Sequence, residues 1–114
     1  MVYEMKLRTE YFNLVKSGDK EYEVRLNDEK RRLINVGDVI TFKREPELKD
    51  SVNVKVKDLL YFKSFKDMAE TLPLSKVGFA GKSIQETVDT YHKFYSLEDE
   101  KRNGVVAIKV DKIN

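Results

Sequence analysis

A carboxylate and a guanidinium lie two residues apart in the segment KEYEVRLN of this 114-residue chain. Side chains at positions i and i+2 of a β-strand point to the same face of the sheet, so Glu23 and Arg25 are expected to lie side by side. The carboxylate can then orient the planar guanidinium, whose other N–H groups bind a phosphate or the edge of a base. Lys20 has the opposite parity, and it joins this pair only if the chain bends at Gly18-Asp19. The sequence therefore predicts a small polar recognition site at the start of this strand.

The same charged residues have a simpler interpretation, which composition and periodicity alone favour. Glu21, Glu23 and Arg25 would then form a solvent-exposed strand face with cross-strand ion pairs. A basic run follows in the chain and is solvated by default, although its closeness to the strand makes contact with phosphate the alternative. This run consists of Lys30, Arg31 and Arg32.

Two further groups of polar residues have an ordinary structural explanation. His92 follows a tyrosine on a predicted helix, where a surface or packing role is expected rather than a functional one. Glu98, Asp99 and Glu100 fit the acidic first turn of a short helix, which the helix dipole favours. A metal site there would need converging ligands from elsewhere in the chain, so no metal site is predicted.

An aromatic cluster lies close to His92 in the chain. Most of its rings are expected in the core, and one exposed ring could stack on a base. The cluster consists of Tyr91, Phe94 and Tyr95.

Alternating apolar residues predict five strands. In the first strand Tyr3, Met5 and Leu7 share one face, and in the second the apolar residues alternate with Glu23 and Arg25. The predicted strands cover about residues 3–8, 20–27, 39–43, 52–63 and 105–113. The connection between the third and fourth strands is too short for a helix, so strands and helices do not alternate strictly. A mixed α+β domain with a small curved or barrel-like sheet is therefore expected rather than a doubly wound fold.

Three or four helices are predicted where the apolar spacing becomes helical. The first has Thr9 as its N-cap and Gly18 in the left-handed position after its end. Each of the others begins at a serine that precedes an acidic residue by three positions, which is the pattern of a capping box. These serines are Ser64, Ser83 and Ser96. Pro73 is expected to stop the second helix.

The composition restricts the kind of protein. The chain carries 22 Lys and Arg against 20 Asp and Glu, so any binding of nucleic acid must use a local patch. No apolar window is long enough to span a membrane and no secretory signal is visible, which predicts a cytoplasmic domain. The chain has no Cys and one His, so neither a metal nor another cofactor is expected. Abundant Lys and Glu are common in thermostable proteins, with an ordinary solvated surface as the competing explanation.

The pattern G-x-K-x-x-E-x-R, formed by Gly18, Lys20, Glu23 and Arg25, resembles the signature of the ASCH domain, a branch of the PUA-like superfamily. The resemblance extends in order through MKLRTEYFNLVKSG, RLNDEKRR, VGDVITF, TLPLSKVGF and YSLEDEKRNGVVAI. It identifies residues 1–114 as a small single-domain member of that family. The resemblance implies a PUA-like pseudo-barrel of about five strands, with three to four helices packed outside and a cleft beside the signature strand.

The resemblance also implies a function, because ASCH domains are generally regarded as RNA-binding modules. It implies that Lys20, Glu23 and Arg25 line the cleft and bind RNA or a modified nucleoside. The other residues expected to contact the nucleic acid are Asn27, Lys30, Arg31 and Arg32. The sequence does not indicate the ligand itself or the oligomeric state.

Two other functions remain as alternatives. Small bacterial proteins that resemble this chain in size hydrolyse N4-acetylcytidine with the signature lysine, a threonine three residues later and a glutamate further along. Lys20 matches that lysine, but Glu23 occupies the place of the threonine and could act only as a general base for water. Candidates for the later glutamate are Glu70, Glu98 and Glu100. The other alternative is a protein-interaction module that binds no nucleic acid.

Overall fold

A computed structural model describes residues 1–113 as a five-stranded mixed sheet with helices packed on it. The strands are β1 (Val2–Leu7), β2 (Tyr22–Leu26), β3 (Val39–Arg44), β4 (Ser51–Phe62) and β5 (Val105–Lys112). The helices are α1 (Thr9–Ser17), α2 (Phe65–Thr71), α3 (Leu74–Val77), α4 (Ile84–His92) and α5 (Leu97–Asn103). The predicted α+β class with five strands is confirmed. Within this range, no helix combines the length and the apolar character that crossing a membrane requires.

The sheet curls so that its two edge strands approach each other. The strand order is β1-β3-β4-β5-β2, in which β1 runs parallel to β3 and the other neighbours are antiparallel. The result is a half-barrel, which confirms the expected barrel-like sheet. Arg25 on β2 reaches across the remaining gap, and its Nη2 donates a hydrogen bond to the carbonyl of Lys6 on β1 at 3.0 Å.

Strand β5, which lies between β4 and β2, is apolar on both faces, and its register sets the direction of the polar residues of β2. Val106 and Ile108 belong to the core inside the half-barrel, while Val105 and Ala107 belong to a second core under the helices. Opposite residues of an antiparallel pair share a face. Glu23 pairs with Ile108 and Arg25 pairs with Val106. Both charged side chains therefore point towards the inside of the half-barrel.

The three predicted serine caps form. Each serine hydroxyl accepts a hydrogen bond from the backbone N–H three residues later, which satisfies a donor that the helix itself leaves free. In the described range the reciprocal bond of a capping box is present at Ser83, where the Glu86 carboxylate accepts from the Ser83 N–H at 3.1 Å. At the other two serines the acidic residue is an aspartate, whose side chain is one methylene shorter.

One helix boundary and the number of helices differ from the prediction. The second helix, α2, ends at Thr71, before Pro73, as expected. Pro73 is followed directly by the one-turn helix α3, because its φ of −63° already suits the start of a helix. This turn brings the number of helices to five. The prediction of Thr9 as N-cap was wrong: Thr9 is the first helical residue and Arg8 is the N-cap. The Thr9 hydroxyl donates instead to the carbonyl of Glu45 at 3.0 Å.

Candidate functional site

The end of α1 delivers Lys20 to the start of β2. Gly18 ends the helix with a left-handed φ of 90°, and the N–H of Lys20 donates to the carbonyl of Leu14 at 3.0 Å. The bend that the sequence required after α1 is thus present. It brings the Nζ of Lys20 within 2.8 Å of the Oε1 of Glu23, and the same ammonium donates to the carbonyl of Tyr22.

Glu23 is held between two cations. Its Oε1 accepts from Lys20, and its Oε2 accepts from the Nε of Arg25 at 2.5 Å. The side chains of Lys20 and Glu23 are 3% and 6% exposed, and we call Lys20, Glu23 and Arg25 the ionic triad. The solvent-exposed interpretation was therefore wrong for Glu23, because this residue faces the inside of the half-barrel. Glu21, which is half-exposed and pairs with Lys76 at 2.5 Å, fits that interpretation better.

Lys20 and Arg25 keep Glu23 ionised, and Glu23 in turn keeps Arg25 charged. Burial alone would raise the pKa of Glu23, but the charges of Lys20 and Arg25 outweigh burial and lower this pKa to about 2. Burial would also lower the pKa of Arg25, yet the carboxylate of Glu23 raises it overall. A carboxylate with so low a pKa is ionised at any neutral pH. Glu23 therefore fixes the position of the Arg25 guanidinium instead of acting as a proton carrier.

A cavity of about 350 Å³ opens beside the ionic triad. The aromatic side chains that line it are Tyr11, Phe79, Tyr91, Phe94 and Tyr95. The charged side chains that line it are Lys6, Arg8, Lys20, Glu23, Arg25 and Glu45. Flat apolar rings thus lie next to charges in fixed positions, a combination that suits a planar ligand with a polar edge.

The aromatic rings of the cavity are supported by other rings. Phe65, which is fully buried, stacks on Tyr91 with ring centroids 4.5 Å apart and on Tyr95 at 5.5 Å. Phe79 lies 5.8 Å from the ring of Tyr11 and 5.4 Å from that of Tyr91. Four of the five lining rings, all except Phe94, are therefore held in place by contacts with other rings before any ligand arrives.

Three tyrosine hydroxyls of the cavity stay protonated. Burial is the main reason that the pKa values of Tyr11 and Tyr95 are raised and that of Tyr91 is raised well above its usual value. The negative charge of Glu23 raises all three pKa values further. These hydroxyls can therefore donate hydrogen bonds to a ligand across the whole neutral range.

The structure brings together only some of the residues that the sequence proposed. Lys20, Glu23 and Arg25 converge at the cavity, whereas the remaining proposed residues do not line it. Those residues are Asn27, Lys30, Arg31 and Arg32. Arg31 pairs with Asp28 at 3.1 Å, and its charge acts on Tyr95 by lowering the pKa of that hydroxyl. Lys30 and Arg32 are exposed.

The glutamates proposed as a catalytic partner lie outside the cavity lining. Glu70 and Glu98 are exposed. Glu100 is buried, and its two carboxylate oxygens are occupied by the backbone N–H of Phe65 at 2.6 Å and by the Nε2 of His92 at 2.9 Å. Glu100 and His92 therefore join α5 to α2 and α4. Among residues 1–113, no group of side chains is arranged to hold a metal ion.

Several lining residues were not singled out from the sequence. Glu45 follows β3, and the parallel pairing of β3 with β1 places it beside the end of β1, where its N–H donates to the carbonyl of Leu7 at 2.7 Å. Tyr11 and Phe79 lie on α1 and just after α3. A local signal could not have found them, since residues of β1, α1 and α3 meet at the cavity only after the sheet has curled.

Gly78 is the residue where the packing around Lys20 is most sensitive. It has a left-handed φ of 99°, and a Cβ at this position would lie 3.2 Å from both Lys20 Cδ and Tyr11 Cδ1. We expect Gly78→Ala to lower the free energy of unfolding by about 1–2 kcal/mol for the left-handed backbone, and by about 1 kcal/mol more for the crowding. Urea unfolding of the variant measures the sum.

Gly37→Ala is the matched control for this change. Gly37 has a similar φ of 96°, but no atom lies within 4 Å of the Cβ that would be added. Both variants carry the backbone strain, so the difference between them isolates the crowding of Lys20 and Tyr11. Equal losses of stability in the two variants would contradict the tight packing of Gly78 against the Lys20 stem.

The chain is similar to known proteins over the region that forms the cavity and the ionic triad. The sequence model of the ASCH domain matches residues 5–114. No curated protein matches the sequence. The crystal structure of hypothetical protein PH0355 superimposes with a TM-score of 0.89 at 45% identity, covering 99% of this chain and 100% of that chain. Protein PF0455 from Pyrococcus furiosus has a TM-score of 0.81 at 41% identity, covering 100% of this chain and 99% of that chain.

A more distant likeness concerns the fold alone. The ASCH domain from Lactobacillus crispatus JV V101 superimposes with a TM-score of 0.69 at 14% identity. The match covers 97% of this chain and 79% of that chain. The expected fold, a curled sheet with helices packed outside it, is thereby confirmed.

Proposed function

Because the chain belongs to the ASCH domain family, as the match over residues 5–114 shows, we propose that it binds RNA or a modified nucleoside through the cavity beside the ionic triad. ASCH domains are a PUA-like fold family proposed for RNA binding. The observation that carries the proposal is a cavity of about 350 Å³ in which supported aromatic rings adjoin a fixed guanidinium. This volume is at the small end of the range for ligand pockets, roughly 300–1,000 Å³, and it suits one base rather than a duplex.

The guanidinium of Arg25 is well placed to bind the polar edge of a base. Its Nε is engaged by Glu23 and its Nη2 by the carbonyl of Lys6, which holds the plane of the group still. The Nη1 group remains to donate to a ligand, because an arginine has five N–H donors in one fixed plane. The hydroxyls of Tyr91 and Tyr95 add donors beside it, and the ring faces provide stacking for any base.

The basic run outside the cavity extends the proposed site. Arg31 pairs with Asp28, and the neighbouring Lys30 and Arg32 are exposed. We assign this run, with Asn27 before it, to contacts with phosphates of the bound strand. The net charge of only +2 is consistent with a few such contacts and not with coating of a long nucleic acid.

Arg25→Lys is expected to weaken binding of single-stranded RNA about tenfold. Lysine keeps the positive charge near Glu23, but its one ammonium cannot contact Glu23, the Lys6 carbonyl and a base together. A hydrogen bond from a charged donor contributes about 1.5–3 kcal/mol. Fluorescence anisotropy with a short labelled RNA of mixed sequence measures the affinity over a range of salt concentrations. Contact with phosphate predicts a log–log slope of about −0.7 for each neutralised charge of a single strand.

The control for this experiment is Arg102→Lys. The Arg102 side chain is 70% exposed and pairs with Asp99 on α5, away from the cavity lining, so its exchange should leave the affinity unchanged. Circular dichroism checks that both variants are folded. Failure of the wild-type protein to bind RNA, any of the four ribonucleosides or N4-acetylcytidine, even at low salt, would overturn the proposed function.

Hydrolysis of N4-acetylcytidine ranks second because of the charge arrangement at the same residues. Lys20 touches Glu23 directly at the edge of the cavity, which is the observation in its favour. A carboxylate with a pKa of about 2 is nevertheless a weak general base at neutral pH, and the ammonium of Lys20 is engaged by two acceptors. Deacetylation by the wild type that is lost in Lys20→Ala would reverse this ranking.

A further inference from the structure

The rim of the cavity carries an exposed aromatic ring with a cation beside it. Phe94 is 58% exposed, in contrast to the half-buried tyrosines of the same cluster. The guanidinium of Arg8 lies over this ring, 5.3 Å from its centroid. Phe94 also lines the cavity, and an exposed aromatic ring with an arginine over it can stack on a base.

The rim also has positive charge that the protein does not neutralise. Lys6 and Arg8 both line the cavity and are both exposed. Neither forms an ion pair with a carboxylate of residues 1–113. Counting all charged side chains that line the cavity, four cations face two carboxylates. A neutral nucleoside leaves this excess uncompensated, whereas a phosphate compensates it.

We infer that the natural ligand is a nucleotide within a single strand, which spans the cavity and its rim. One base enters the cavity, its phosphodiester lies beside Lys6 and Arg8, and the adjoining base stacks on the open face of Phe94. This inference rests on the proposed function and narrows it, because it excludes a free nucleoside as the preferred ligand. Charge complementarity favours this occupant of the exposed ring over an apolar protein surface.

The test compares ligands that differ by one structural part at a time. Isothermal titration is performed with each ribonucleoside, with its 5′-monophosphate and with the corresponding dinucleotide joined by one phosphodiester, such as uridine, UMP and UpU. We expect affinity to rise at both steps, with the dinucleotide bound at least about tenfold more tightly than the nucleoside, since stacking one base on an aromatic ring contributes about that factor.

Two variants identify the residues responsible. In Phe94→Ala the ratio of dinucleotide to nucleoside affinity should fall several-fold, to about the ratio that the phosphate alone provides. In Arg8→Gln the dependence of dinucleotide affinity on salt should become shallower by about 0.7 in log–log slope. The matched control is Tyr61→Ala, because Tyr61 is also an exposed ring (62%) but lies on β4 outside the cavity lining. This control should retain the full ratio.

The outcomes separate this inference from the proposed function. If nucleosides bind as tightly as dinucleotides, or if Phe94→Ala keeps the wild-type ratio, the inference is wrong while the cavity remains a nucleoside site. If Phe94→Ala changes the oligomeric state in gel filtration without changing the ratio, the ring is a protein contact and the inference is wrong. If no probe binds, the proposed function fails together with it.

Discussion

Replacement of Glu23 by glutamine is expected to lower the free energy of unfolding by about 3–5 kcal/mol, because it leaves two cations without their shared anion. Lys20 is 3% exposed and Arg25 is 17% exposed, so water can compensate neither of them fully. A neutral amide also cannot accept both hydrogen bonds with the strength that a carboxylate provides. Urea unfolding at neutral pH measures the loss, with the slope of the transition as a check on two-state behaviour.

Glu21→Gln provides a control on the same stretch of chain. Glu21 also pairs with a lysine, Lys76, at 2.5 Å, but the two side chains are 34% and 48% exposed. A pair that is so accessible to water contributes less than about 1 kcal/mol. A loss of stability in Glu23→Gln that is no larger than the loss in Glu21→Gln would contradict the buried triad described above.

Acid is expected to remove the contribution of Glu23 between about pH 4.5 and about pH 2. The pKa of Glu23 is about 2 in the folded protein, where the charges of Lys20 and Arg25 outweigh burial, against an ordinary value of 4.5. As the pH falls, the unfolded chain therefore takes up the proton first. The contribution of Glu23 to stability is fully present above about pH 4.5, and it is lost as the pH falls towards 2, the pKa of Glu23 in the folded protein. The shift in pKa corresponds to about 3 kcal/mol.

The measurement is the difference in unfolding free energy between the wild type and Glu23→Gln over this pH range. Other carboxylates with lowered pKa values, such as Asp38 and Glu86, titrate in both proteins and cancel in the difference. The two proteins should differ most at neutral pH and converge as the solution becomes acidic. A difference that stays constant from pH 6 to pH 2 would show that Glu23 does not carry the charge assigned to it.

The sequence predicted the partnership of Glu23 and Arg25 but not their burial. Strand periodicity places residues two apart on one face regardless of where the strand lies in the fold, so the pairing was accessible from sequence. Which face is buried depends on the pairing of β2 with β5 and on the curl of the whole sheet, and neither is a local property. The residues of β5 that lie opposite Glu23 and Arg25, namely Ile108 and Val106, are more than eighty positions further along the chain.

The elements themselves were more predictable than the cavity between them. Alternating strands and serine caps are local patterns, and five strands with the capped helices were obtained from them. Three lining residues lie in different parts of the chain: Glu45 follows β3, Tyr11 is in α1, and Phe79 follows α3. Their types are equally compatible with a surface loop or with the core, so no local signal marked them as lining residues.

The hydrogen bond from Arg25 to the carbonyl of Lys6 limits how this site can change during evolution. The Arg25 guanidinium joins the two edge strands of the sheet, β1 and β2, and Arg25 also lines the cavity. A substitution of Arg25 that altered ligand preference would also remove the hydrogen bond between β2 and β1. A substitution that replaced this bond by another contact between the two strands would in turn change the cavity. New specificities should therefore arise from the rings and the rim, where side chains can be exchanged without disturbing the closure of the fold.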